Sequence, residues 1–271
     1  MVTVMFEQYF NFLRLPFTRD IPEKELYHNP DVEELCSRLF YAARNRLFAV
    51  VTGDVGTGKT TVIRKFVTSL DINRYKVMYI SDSALTPRAF YWEVLNQLGC
   101  EGKFYRSDAK RQLTKEITNL IENQKKTPVI ITDEAHLLSR EMLEEIRFLL
   151  NFKMDSYNPM SLVLVGQSEL KDILKKQIYE AIYQRIDLKY HLMSYDRQQT
   201  GEYITKHLEY AGETREIFTD MAVNEIYKYS HGVARKINKL CTACLLHAAQ
   251  IQKKIIDDHM VILIIEEEFN W

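Results

Sequence analysis

Eight consecutive residues, Gly53-Asp54-Val55-Gly56-Thr57-Gly58-Lys59-Thr60, carry the strongest chemical signal in the chain. The spacing Gly-x-x-x-x-Gly-Lys-Thr suits a phosphate cradle, because glycines let backbone N–H groups turn towards an anion and a helix N-terminus adds a favourable dipole. On this reading Gly53 to Thr61 bind ATP, with Lys59 reaching the β- and γ-phosphates and the Thr60 hydroxyl ligating Mg²⁺. A second constellation, Val129-Ile130-Ile131-Thr132-Asp133-Glu134-Ala135-His136, ends an apolar run in two carboxylates. Adjacent strand residues point to opposite faces, so the two acids take different tasks. Asp133 holds magnesium through water, and Glu134 orients and polarises the attacking water. Together the pair predicts hydrolysis of ATP.

Three later residues extend this chemistry. Gln167 follows the run Ser161-Leu-Val-Leu-Val-Gly166 and is placed to hydrogen-bond a γ-phosphate or its attacking water, with a surface-turn glutamine as the alternative. Arg185, in Ile182-Tyr-Gln-Arg185-Ile186, precedes another apolar run, where an arginine can reach the nucleotide of a neighbouring subunit; a surface salt bridge is the alternative. Arg235, in Gly232-Val-Ala-Arg235, opens a helix and can swing onto phosphates when a second domain closes. Cys241-x-x-Cys244 with His247 lacks a second ligand pair and reads as a bland helix face.

These residues need rigid supports, and the hydrophobic pattern supplies them. Residues 47–52, 75–81, 128–133, 161–166 and 187–192 are short apolar runs that read as five buried strands. Helical segments lie between them, one opened by Thr86-Pro87 and closed by Gly99. Strand and helix alternation of this kind predicts a parallel sheet covered on both faces. After about residue 194 only helical patterns follow, over 195–210, 220–229, 233–252 and 257–268, although Val261 to Ile265 also fits a strand. An aromatic lead-in from Tyr9 to Phe17 precedes a helix that Asn29-Pro30 starts. The expected domains are 1–192, an N-terminal extension plus an α/β part, and 193–271, a helical lid.

Composition narrows the class without naming a partner. A chain of 271 residues that is 46% hydrophobic and 27% charged folds and buries a core. Lysine plus arginine number 36 against 37 acidic residues, so contact with nucleic acid must come from a local basic patch. The start, Met1 to Phe12, lacks the basic flank of a signal peptide, and no apolar run reaches the roughly 18 residues that cross a bilayer. Four cysteines are too few for a disulfide framework, so a cytosolic, reduced protein is expected.

Taken in order, Lys59, Asp133-Glu134, Gln167, Arg185 and Arg235 resemble the Walker A, Walker B, sensor 1, arginine finger and sensor 2 positions of the AAA+ ATPases. That resemblance implies a P-loop α/β fold with a parallel five-stranded sheet of order 5-1-4-3-2 and a C-terminal helical lid. Sensor 1 is Asn, Ser or Thr in many AAA+ proteins, so Gln167 departs from the pattern, and Ser168 can share the role. The lead-in, the phosphate loop, Asp133-Glu-Ala-His-Leu-Leu138, Leu164-Val-Gly-Gln-Ser-Glu-Leu170 and Gly232-Val-Ala-Arg-Lys-Ile-Asn-Lys-Leu240 are similar to the ExeA-like ATPases over residues 6–265.

The resemblance implies one of two outputs. Transposition regulators of the TnsC and MuB kind assemble with ATP on duplex DNA as rings or helical filaments and recruit a transposase. Secretion-pathway ATPases of the ExeA type act on protein partners and carry a membrane span after the ATPase domain. The chain ends at Trp271 without a span, which favours the transposition reading as an expectation. Such a regulator needs a surface that tracks the DNA backbone without reading sequence. The best patch is Lys103, Arg106, Lys110 and Arg111, with a solvated loop and helix face as the alternative.

Overall fold

The computed structural model describes residues 6–18, 21–81, 85–150 and 158–269, without the Phe148 side chain. By contact the chain divides into two compact units, Asp31–Gly53 with Lys59–Leu192, and Met1–Pro30 with Asp54–Gly58 and Met193–Trp271.

The first unit is built on five parallel strands, β1 (Phe48–Gly53), β2 (Tyr75–Ile80), β3 (Thr127–Thr132), β4 (Ser161–Gly166) and β5 (Leu188–Leu192). All neighbouring pairs are parallel, as the alternating pattern predicts, and their order is β2-β3-β4-β1-β5, as the family resemblance implies. The three central strands are buried on both faces, which is why they read as continuous apolar runs. Alternation sorts their side chains into two cores. Ala49, Val51, Val129, Ile131, Val163 and Val165 share one with Leu35 and Leu39 of α2 (Pro30–Asn45) and Ile63 and Phe66 of α3 (Lys59–Ser69). Phe48, Val50, Ile130, Leu162 and Leu164 share the other with α4 (Pro87–Gln97), α5 (Arg106–Glu122) and α6 (Arg140–Leu149).

Local signals set the helix ends. Thr86 caps α4 by accepting from the Ala89 N–H at 3.3 Å, with Pro87 at the first helical position. Gly99, at φ +81°, lets the chain leave that helix. Two short helices, α7 (Glu169–Leu174) and α8 (Glu180–Tyr183), lie between β4 and β5.

The second unit is helical. It holds α9 (Arg197–Tyr210), α10 (Asp220–Ser230), α11 (Ala234–Gln250) and α12 (Asp258–Ile264), so Val261 to Ile264 resolve as helix, not strand. Asp196 and Gln199 form a reciprocal capping box at the start of α9, and Thr219 and Asp257 cap α10 and α12. The aromatic lead-in, grouped with the α/β part in the sequence reading, belongs to this unit. Phe6 and Phe10 of α1 (Phe6–Phe10), with Phe17, pack with Ile204, Leu208 and Phe218 in one core. His207, in that core, accepts from the Phe17 N–H at 3.0 Å and stacks on the Phe17 ring. The four cysteines are free thiols, with Cys241 and Cys244 buried on α11. Among the described residues, no helix is long and apolar enough to cross a membrane.

Candidate nucleotide-binding site

β1 ends at Gly53, five loop residues follow, and α3 begins at Lys59. The loop turns through two glycines at positive φ, +86° at Gly56 and +97° at Gly58, a backbone region that residues with a Cβ rarely enter. The Thr57 hydroxyl donates to the Asp54 carbonyl at 3.0 Å and tightens the turn. Asp54 and Val55 are exposed, and Thr57 is buried. Gly56 is also fixed by its neighbours. The Arg235 N–H donates to its carbonyl at 3.2 Å, and a Cβ added at Gly56 would stand 2.8 Å from the Arg235 Cβ. Gly232, just before α11, has φ +73° and the Tyr195 carbonyl oxygen 1.7 Å from where its Cβ would sit, so no larger residue fits there. The first turn of α11 therefore lies against the loop, while Arg235 itself is exposed.

In the α/β unit, Lys59 is buried, and its ammonium donates to the Gly53 carbonyl at 2.8 Å across the base of the loop. The exposed Thr60 follows, and its hydroxyl donates to Asp133 Oδ2 at 3.2 Å. This contact joins the two motifs, 73 residues apart, that the sequence reading assigned to one magnesium ion. Thr61 lies half-buried on the same first turn of α3.

Asp133 and Glu134 diverge for a reason other than strand alternation. β3 ends at Thr132, and although the Asp133 N–H still donates to the Ile80 carbonyl at 2.9 Å, Glu134 turns into the left-handed region at φ 49°, ψ 34°. That conformation costs a residue with a Cβ about 1–3 kcal/mol and recurs at functional sites. It lets the Glu134 N–H donate back to Asp133 Oδ1 at 2.8 Å and sends the Glu134 side chain outward, half exposed. Its Oε2 lies 3.5 Å from Nδ1 of the nearly buried His136.

Asp133, 6% exposed, has a further partner that sequence reasoning missed. The Tyr79 hydroxyl donates to its Oδ2 at 2.6 Å. Burial, and after it the bond to Asp133, push the phenol well above its ordinary value, so Tyr79 keeps its proton and donates. The available signal was positional, since Tyr79 is one residue from the end of the strand that pairs with β3.

The remaining candidates lie as follows. The Gln167 N–H donates to His136 Nδ1 at 3.5 Å, which ties the end of β4 to the Asp133–His136 turn. Ser168 begins the turn into α7. The Arg185 guanidinium donates to the Arg147 carbonyl near the end of α6 at 3.1 Å. Of the basic stretch, Lys103 is exposed before α5, and Arg111 is exposed on it with Asp108 3.9 Å away. Arg106 and Lys110 are turned to α6: Arg106 pairs with Glu141 at 2.6 Å and with Glu145, and Lys110 pairs with Glu145 at 2.8 Å. Tyr91 of α4 donates to Glu145 as well. Burial works to raise the Glu145 pKa, but Lys110, Tyr91 and Arg106 outweigh it and leave the carboxyl below its ordinary value.

Comparison with known proteins fits this geometry. Residues 42–174 match the model of the AAA domain family. The chain is 31% identical over 249 residues to General secretion pathway protein A of Aeromonas hydrophila; the match takes in 90% of this chain and 45% of that protein, so the chain spans less than half of its length. Among solved structures it is similar to the Drosophila ORC bound to DNA, with TM-score 0.66 at 18% identity over 96% of this chain and 64% of that one. It is also similar to the ORC2 protein of Aeropyrum pernix in ADPNP-ADP complexes, with TM-score 0.65 at 15% identity over 97% and 72%. At these identities the structures speak for the fold alone. Residues 42–174 thus match the AAA domain family, and they lie on a parallel sheet of the AAA+ P-loop order.

Proposed function

We propose that this chain is an ATPase, a nucleotide-driven switch that assembles with ATP on duplex DNA and regulates or recruits a transposase, with Lys59, Thr60, Asp133 and Glu134 as its hydrolytic centre. The observation that carries the centre is the 3.2 Å contact between the Thr60 hydroxyl and Asp133 Oδ2. A hydroxyl and a carboxylate are hard oxygen donors that suit Mg²⁺, with Thr60 as ligand and Asp133 acting through water. Bound there, magnesium would neutralise charge on the phosphates. The loop from Gly53 to Thr61, Asp54, Val55, Thr57 and Gly58 included, supplies main-chain donors to ATP, and Lys59 supplies a cation. Glu134 orients the attacking water, and Gln167 and Arg235 address the phosphates. Arg185 serves the nucleotide of a neighbouring copy in a ring or helical filament.

The DNA reading is supported by the exposure of Lys103 and Arg111 and of the aromatic rings of Phe104 and Tyr105. Arg106 and Lys110 contribute less, because Glu141 and Glu145 offset their charge. A cytosolic setting belongs to the same reading. The second reading, a secretion-pathway ATPase with protein partners, is favoured by the 31% identical relative. Electron microscopy with duplex DNA and a non-hydrolysable ATP analogue separates the two. Rings or filaments on DNA, with binding that weakens steeply as salt rises, are the expected result. Monomers with and without DNA overturn the assembly, and assembly without salt-sensitive DNA binding transfers the function to the secretion reading.

A further inference from the structure

Tyr79 sits on β2, an edge strand, directly opposite Ile131 of β3. Parallel pairing in register puts its side chain on the face shared by Ile131 and by Asp133 two residues on. The phenol reaches Asp133 Oδ2 at 2.6 Å while the Glu134 N–H holds Oδ1 at 2.8 Å, so both carboxylate oxygens are fixed. An edge strand leaves outward main-chain groups, and at Tyr79 the side-chain amide of Gln97 takes up both. The Tyr79 N–H donates to Gln97 Oε1 at 2.9 Å, and Gln97 Nε2 donates to the Tyr79 carbonyl at 2.8 Å. Gln97 Nε2 also donates to Glu93 Oε1, one turn earlier on α4, at 2.7 Å. The fixed sequence of contacts thus runs from α4 through Gln97 and the Tyr79 backbone to the phenol and Asp133.

Thr60 donates to the same oxygen as Tyr79. A threonine hydroxyl can ligate a cation through an oxygen lone pair and keep its proton on Asp133, whereas the phenol holds the same carboxylate oxygen without being a ligand itself. We infer that Tyr79 is a positioning residue, which holds Asp133 in the orientation that a divalent cation carrying ATP phosphates requires, with Gln97 as its anchor. The inference rests on the Mg²⁺·ATP reading of the site. A hydroxyl bonded to a carboxylate is stronger than a neutral pair, and second-sphere contacts of this kind tune metal affinity about 10- to 100-fold.

The test is a Mg²⁺ titration of fluorescent ATP-analogue binding to the full chain, with affinity in excess EDTA as baseline. Wild type, Tyr79→Phe, Asp133→Asn and the double variant form a cycle. Tyr79→Phe should raise the half-saturating Mg²⁺ concentration about 10-fold, the lower end of that range, leave the EDTA baseline unchanged, and add no shift in the Asp133→Asn background. Gln97→Met keeps the phenol and should shift the same reading in the same direction by less; it stands in if Tyr79→Phe does not fold. An unchanged or lower half-saturation in the folded variants overturns the inference, as does an equal shift with and without the Asp133 carboxylate. Wild type with no Mg²⁺-dependent binding at all would instead overturn the nucleotide reading of the site.

Discussion

Asp133 and Glu145 are both carboxylates almost withdrawn from solvent in the α/β unit, at 6% and 3% exposure, and each accepts a hydrogen bond from a tyrosine. Their other contacts differ in kind. Glu145 pairs with the cations Arg106 and Lys110 and joins α4, α5 and α6. Asp133 is held by the hydroxyls of Thr60 and Tyr79 and by a main-chain N–H at the carboxyl end of a central strand. Paired cations offset a buried charge and make it structural. Hydroxyl and amide donors orient a charge without cancelling it, which is what holding a cation requires. Burial alone therefore does not separate the two acids; the chemistry of their donors does.

Paired substitutions would break this comparison most visibly. Asp133→Asn should lower ATP turnover about 10- to 100-fold through the metal while moving the urea midpoint little. Glu145→Gln should do the reverse. It weakens two ion pairs whose cations are partly exposed, so a loss of about 1–3 kcal/mol of stability is expected, with turnover of the folded protein kept. Equal loss of turnover in the two variants would erase the distinction.

A smaller effect, in pH, sharpens it. The Glu145 pKa is lowered in the folded protein, so its contribution is fully present above the ordinary carboxylate value of about 4.5 and is lost as pH falls through the folded value. The stability gap between wild type and Glu145→Gln should thus be full at neutral pH and close in acid. His207 adds a separate acid sensitivity. Burial lowers its pKa from 6.5 to about 3, so both proteins lose stability between those values as the unfolded chain takes up the proton first. That loss is common to both and cancels in the gap, which chemical denaturation at stepped pH would measure.

Much of this was legible in the chain. The apolar runs marked the three central strands because each is buried on both faces, whereas the edge strands β2 and β5, also expected to be buried, are only partly so. The glycines of the Gly53–Thr60 loop and the carboxylates after Thr132 are local patterns visible in the sequence itself. What escaped lies in long-range partners. The cations Arg106 and Lys110 looked like a nucleic-acid surface, and nothing local shows that Glu145, 39 and 35 residues away, takes up part of their charge. Tyr79 was one aromatic residue in an apolar strand until strand register set it over Asp133. The lead-in aromatics could not reveal their core, since their partners begin more than 180 residues later at Tyr203 and Ile204. The divergence of Asp133 and Glu134 was expected, but its cause, the left-handed turn at Glu134, has no sequence signature in a residue with a Cβ.

On the proposed reading Lys59 and Glu134 divide the labour, Lys59 in nucleotide binding and Glu134 in hydrolysis. Nucleotide affinity and single-turnover hydrolysis, measured side by side for Lys59→Ala and Glu134→Gln, test it most directly. Lys59→Ala should abolish ATP binding. Glu134→Gln should bind within a few-fold of wild type yet hydrolyse about 10²- to 10⁴-fold more slowly, the range for a lost general base. Equal loss of binding in both variants, or undiminished hydrolysis by Glu134→Gln, would contradict the account.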